Sequence, residues 1–257
     1  MKKLIFILLL LPFIGLTQDP VIDVSGNPVV DAGGNIVEST NLDQVILDLA
    51  PVVWLRADNV ELNGSLITQF NDLSGNGNNA TQGTASKQAT QTSTAGLQTT
   101  AQYDGDDIYS TSAGIFSITT GTMVVISHKV GVSAFRDVYA CDLELTTQGK
   151  LSISDDNKIY MQGNAEIFST AGTWNNTDVY IIGSYGSTDS LDVNGTVTTG
   201  SIANPVSFDG LRLGGNGSYF LTGYMSDYIL FDYVLTNEQK SIVVTGYINE
   251  KYPNLIP

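Results

Sequence analysis

Residues 72–80 read DLSGNGNNA. They follow two runs with the look of strands, PVVWLRADN (51–59) and ITQFN (67–71). A flexible linker tolerates such a composition, whereas a tight turn in a β domain requires it. Asp72 and Ser74 can hydrogen-bond a turn's own backbone, and Gly75 and Gly77 can take left-handed conformations. The choice decides between a repetitive secreted filler and a folded recognition module.

The rest of the chain favours a folded β domain. Its 257 residues are 42% hydrophobic and include 12 Tyr and 9 Phe, ample for a core. The 26 glycines and many Thr, Ser, Asn and Asp favour strands joined by turns. Apolar or alternating runs recur as TMVVISHKV (122–130), RDVYACDLEL (136–145), KIYMQG (158–163), DVYIIGSYG (178–186) and YMSDYILFDYVL (224–235). DVNGTV (192–197) carries Asn194-Gly195, a strong hairpin signal. One short helix is expected near the C-terminus, in VLTNEQKSIVVTGYINEKYP (234–253). Thr236 caps it, Gln239 completes a capping box, and Ile242, Val243, Tyr247 and Ile248 share a face. Pro253 marks its stop.

The first residues, MKKLIFILLLLPFIGLTQ, have a basic start, an apolar run from Leu4 to Ile14 and a small-residue cleavage site at Gly15-Leu16-Thr17. Residues 1–17 read as a secretory signal peptide, with an N-terminal anchor as the alternative and no stable membrane insertion expected. Loss of Lys2 and Lys3 leaves 9 of 11 basic side chains against 26 acidic ones, a net charge of −17. Such a surface excludes nucleic acid as a partner by bulk charge. Cys141 is the single cysteine, so an internal disulfide is excluded and a small core residue is expected. Residues 18–41 form a spacer with two Asp-x-x-Gly-Asn units, VIDVSGNP (21–28) and VVDAGGNI (29–36).

Four segments in order carry a resemblance: APVVWLRADN (50–59), ITQFNDLSGNGNNATQ (67–82), AQYDGDDIYST (101–111) and the closing LRLGGNGSYF…NEKYP (211–253). Together they resemble the laminin-G-like, concanavalin A-like jelly-roll domains of secreted bacterial proteins and some phage particles. The resemblance spans 42–257. It implies an all-β, two-sheet antiparallel β-sandwich of jelly-roll type with one short C-terminal helix. In that setting DLSGNGNNA is a defined connection between strands, Trp54 starts the core, and Tyr103 belongs to a core strand.

Fold alone does not assign function. Enzymes of this resemblance carry a Glu-x-Asp-x-x-Glu strand, which is missing here. Asp142 and Glu144 share a strand face but no third acid follows, and an exposed face is the plainer reading. His128 is the only histidine, which rules out a His/Cys zinc site and leaves it at the end of a core strand. No catalytic residue is assigned. The expected function is non-catalytic binding of a glycan or surface polymer. A structural or adhesion protein with protein partners is the first rival, and a glycoside hydrolase or lyase the second. Rings that could stack on a sugar from Gly-flanked stretches are Trp174, Tyr185 and Tyr219, with rim packing as the plainer alternative for each. A Ca2+ site is conceivable at Asp104, Asp106 and Asp107, with Asp58 and Asp72 as further oxygen donors.

Overall fold

The computed structural model describes residues 41–94, 96–115, 117–130, 137–142, 150–153, 158–162, 165–169, 177–186, 189–202, 209–216, 218–253 and 255. The signal segment, and all of the spacer but Asn41, lie outside them. The chain divides into two units, 1–42 and 43–257, and the second carries all the described strands.

The strands are β1 (Val53–Asn63), β2 (Leu66–Asp72), β3 (Ala80–Thr81), β4 (Thr90–Thr94), β5 (Gln98–Asp104), β6 (Tyr109–Ser110), β7 (Gly121–Lys129) and β8 (Asp137–Cys141). They continue with β9 (Lys150–Ile153), β10 (Ile159–Gln162), β11 (Glu166–Phe168), β12 (Asp178–Tyr185), β13 (Asp189–Val193), β14 (Thr196–Gly200), β15 (Arg212–Leu213) and β16 (Thr222–Phe231). All the pairings among them are antiparallel, so the all-β expectation holds. β1, β2, β4, β5 and β16 pair in a closed ring. From β16 the sheet continues through β7, β12, β13 and β14; from β2 it continues through β3, β6, β15, β8, β9, β10 and β11.

A kink in β16 makes the ring possible. Residues 222–225 pair with β5, residues 227–230 pair with β1, and the register slips between Met225 and Asp227 on the β7 side. The slip lets one strand serve two partners along one edge. Ser226 fills the junction, its hydroxyl lying 3.1 Å from the carbonyls of both Leu97 and Thr99.

The turn at 72–80 is specific. One Asp72 carboxylate oxygen accepts from the N–H groups of Trp54 (2.9 Å) and Ser74 (3.0 Å). The other accepts from the Ser74 hydroxyl (2.7 Å) and the Asn78 N–H (2.8 Å). Gly75 and Gly77 have φ of +86° and +75°, the left-handed conformations expected of them. Asn76 and Asn78 donate to the Val52 carbonyl, which ties the turn to the entry of β1. A linker would make none of these bonds. The Asn194-Gly195 hairpin between β13 and β14 is likewise as expected, with φ of +48° and +83°.

The inner core runs through Val53, Leu55, Phe70, Tyr103, Tyr109, Val125, Ile181 and Leu230, all buried. Trp54 is fully buried on the opposite face of β1. Its indole N–H donates to Asp227, 2.9 Å away. Asp227 is wholly buried and also accepts from the hydroxyls of Tyr247 (2.9 Å) and Tyr252. Burial, together with the Asp227 charge, holds both tyrosine hydroxyls protonated, their pKa values well above the usual range. One carboxylate therefore joins β1, β16 and the C-terminal helix.

That helix spans 237–251 and starts with the expected capping box of Thr236 and Gln239. Residues Ile242–Ile248 are π-helical. This wider winding corrects the helical face: Val243, Tyr247 and Ile248 are buried, but Ile242 is 40% exposed. The helix ends at Lys251, two residues before Pro253. A second short helix, α1 (Leu42–Leu47), precedes β1. Ile46 is its buried residue, and Ala50 at φ +48° ends its turn before Pro51.

Asp227→Ala leaves three buried donors without an acceptor. Each unsatisfied group costs about 1–3 kcal/mol, so the variant is expected to lose about 3–5 kcal/mol and melt roughly 10 °C lower. A melting temperature within a degree or two of the parent would contradict this.

Candidate functional site

Strand alternation separates two rows of side chains across β6, β15, β8, β9, β10 and β11. Tyr109, Leu213, Ala140, Leu151, Met161 and Ile167 oppose one another in register and belong to the inner core. The neighbouring positions Ser110, Arg212, Cys141, Lys150, Gln162 and Glu166 must point the other way. Arg212 lies opposite Cys141, and Lys150 opposite Gln162. The Cys141 thiol feels both cations. Burial pushes it up to about 12, while Arg212 and Lys150 pull in the opposite direction.

The GGNGSYF segment (214–220) lies beside this row as a small hairpin. Gly215 bridges Phe220, and the Asn216 side chain accepts from the N–H groups of Ser218 (3.0 Å) and Tyr219 (2.9 Å). Gly214 has φ +79°, and a Cβ there would sit 2.3 Å from the Tyr103 ring, so glycine is required. The hairpin holds Tyr219, 37% exposed, with the Lys150 ammonium 5.8 Å from its ring centre. The same ammonium lies 5.2 Å from the Tyr160 ring, which stacks on Phe168 at 5.4 Å.

Lys150 is only 4% exposed and has no hydrogen bond or ion pair among the described residues. Both rings lie within cation–π reach of the ammonium. The Arg212 Nε and one oxygen each of Gln162 and Asp209 are also buried without a hydrogen-bond partner. Asp142, 6% exposed, lies next in sequence to Cys141; its carboxylate accepts from the Asp209 N–H at 3.3 Å. The arrangement offers an exposed ring, an ammonium against it and a guanidinium with an unused donor. Tyr219 was visible in the sequence through its glycine-rich flanks. Lys150 and Arg212 were not, because only the pairing of β15, β8 and β9 brings them to one row.

The other expected residues fall elsewhere. Tyr185 is 2% exposed in the inner core, with Gly121 packed against its hydroxyl end, so the expectation of a stacking ring is corrected: neither face is available. Trp174 and Glu144 lie outside the described residues. Asp72 uses both of its oxygens in the turn, apart from the other aspartates. Asp58 is paired with Arg56 and lies 3.6 Å from Lys251 at the helix end. Asp104, Asp106 and Asp107 do come together, with ligand atoms within 4.8 Å of one another. Asp107 accepts from the Asp104 N–H at 2.8 Å. Burial pushes its pKa up to about 6, with Asp104 and Asp106 adding to the rise. His128, next to last in β7, hydrogen-bonds Asp178 at 2.6 Å. A separate cleft of about 770 Å³ lies between β13, β14 and the helix start, lined by Tyr180, Asp192, Val197 and Lys240 among others.

No family model and no curated protein sequence matches the chain. Solved structures do match in fold. The botulinum neurotoxin serotype D ligand-binding domain in complex with N-acetylneuraminic acid is 14% identical, with a TM-score of 0.58 over 80% of this chain and 53% of that one. The binding domain of Paraclostridial Mosquitocidal Protein 1 is 15% identical, with a TM-score of 0.56 over 79% and 53%. Trypanosoma rangeli sialidase with the inhibitor DANA is 15% identical, with a TM-score of 0.51 over 84% and 34%. The chain thus spans about half of the toxin domains and a third of the sialidase. At this identity the likeness is one of fold, within β-rich domains that include carbohydrate binders.

The raised Asp107 pKa has a signed consequence. Between the unfolded value near 4 and the folded value about 6, the folded state holds more protons. Stability is therefore fullest below pH 4 and falls as pH rises to 6, by about 1–2 kcal/mol after solvent screening at this turn. Asp107→Asn is expected to remove that component from the pH dependence of urea midpoints. An unchanged pH slope would refute the assignment.

Proposed function

We propose that the mature chain is a secreted, non-catalytic carbohydrate-binding module of the jelly-roll class, which meets its glycan with the Tyr219 hairpin. The observation that carries this reading is the partly exposed Tyr219 ring, fixed by Asn216 and flanked by the Lys150 ammonium. Sugar sites combine a ring face for the pyranose C–H surface with a few convergent polar groups. The fold neighbours in complex with N-acetylneuraminic acid and with DANA support a glycan as the ligand class. The N-terminal segment and the acidic surface fit a protein outside the cell or at its surface. Binding without catalysis fits the missing three-carboxylate strand, since Asp142 is engaged by the Asp209 backbone.

Calcium enters this reading as an aid to the fold at Asp104, Asp106 and Asp107. Because Asp107 must ionise to hold the ion, added calcium should raise the melting temperature at pH 7.5 more than at pH 5. Equal effects, or none, would remove calcium from the account.

The binding test is a glycan array probed with the parent, Tyr219→Ala and Tyr185→Phe. Tyr219→Ala is expected to weaken bound-glycan affinity tenfold or more, on the scale of an aromatic–sugar contact of about 1.5 kcal/mol. Tyr185→Phe is expected to leave affinity unchanged. An array with no bound glycan, alongside a defined protein partner in pull-downs, would favour the adhesion alternative.

A further inference from the structure

We infer that the glycan recognised by the Tyr219 hairpin is acidic, and that its carboxylate sits between Lys150 and Arg212. The inference rests on the carbohydrate-binding reading and gives it a substrate class. Three observations meet at one place. Lys150 is 4% exposed, and its ammonium lies against the rings of Tyr160 and Tyr219. The Arg212 Nε is buried without an acceptor. Arg212 pairs with Cys141 on one side, the Ala140–Leu151 pairing brings Lys150 to its other side, and both cations pull the Cys141 thiol the same way.

An ammonium against an exposed ring and a guanidinium donor without an acceptor, in one row, call for an anion attached to something with an apolar face. A planar carboxylate matches the guanidinium fork and takes a further bond from the ammonium. A pyranose ring supplies the surface for Tyr219. A neutral sugar would leave both cations as they are. The whole protein, with a formal charge of −15, repels anions at long range, so recognition of an acid has to come from local cations. Asp142 and Asp209 are the described acids nearest the Arg212 end, and Glu166 stands two strands beyond Lys150. Asp142 is engaged by the Asp209 N–H, and Asp209 leaves one oxygen unpaired rather than closing on Arg212.

The test is calorimetric titration of the mature protein with three acidic oligosaccharides: a sialyllactose, an oligogalacturonate and a glucuronoxylan fragment. Each is paired with its carboxyl-reduced, neutral counterpart. The expected result is at least one acid bound tenfold or more tighter than its neutral form. Lys150→Met, which keeps the stem, and Arg212→Gln should each erase that preference while melting close to the parent. Equal affinity for acidic and neutral forms overturns the acidic-ligand inference and leaves glycan binding standing. Failure of every oligosaccharide in both forms removes the glycan reading and the inference with it. A preference that survives both substitutions overturns the assignment to this site.

Discussion

Asp227 is the group on which the arrangement depends. A carboxylate with no solvent exposure survives in a fold only when its oxygens are taken up, and here Trp54, Tyr247 and Tyr252 take them up. Those donors come from β1 and the C-terminal helix, while Asp227 belongs to β16. The same strand position follows the register slip that lets β16 pair with both β5 and β1. Sheet closure and helix docking are thus set by adjacent residues, Ser226 and Asp227. Arg56 adds to the clasp, 5.2 Å from the Trp54 ring and paired with Asp43 and Asp58.

The candidate site is downstream of that closure. β16 follows directly on the hairpin that carries Tyr219, with Leu221 donating to the Gly214 carbonyl at 2.7 Å. β15 precedes it and delivers Arg212 to β8. The site is therefore an outward row on a strand system whose inward row is the core. Changing which way β15 or β9 faces by one residue would turn the cations toward the inner core and Leu213 and Leu151 away from it. The outward candidate row and the inward core row are set by the same register.

Much of the fold was legible because local chemistry dictated it. Asp72, Gly75 and Gly77 admit one kind of turn; Asn194-Gly195 admits one kind of hairpin; Thr236 and Gln239 mark one kind of helix start. The π-helical winding that exposes Ile242 was not legible, since the periodicity of 242–248 reads as an ordinary helix. The ring of β1, β2, β4, β5 and β16 was equally hidden, because it depends on strands far apart in sequence meeting at one bulge. For the site, flanking glycines marked both Tyr219, which is partly exposed, and Tyr185, which is buried. Both sit beside glycine, but Tyr185 ends a strand whose inward positions are core, and that facing is decided by β7 and β16 rather than by its neighbours in sequence. Lys150 and Arg212 carried no local signal at all.

The central claim is that ligand recognition occurs at the Tyr219–Lys150–Arg212 row. Chemical-shift mapping by NMR, on the mature protein titrated with the tightest-binding oligosaccharide, tests it most directly. The account predicts that the largest shifts fall on the amides of 214–221, Lys150 and Arg212. Shifts confined to Tyr180, Asp192, Val197 and Lys240 would place recognition in the cleft beside the helix and contradict it.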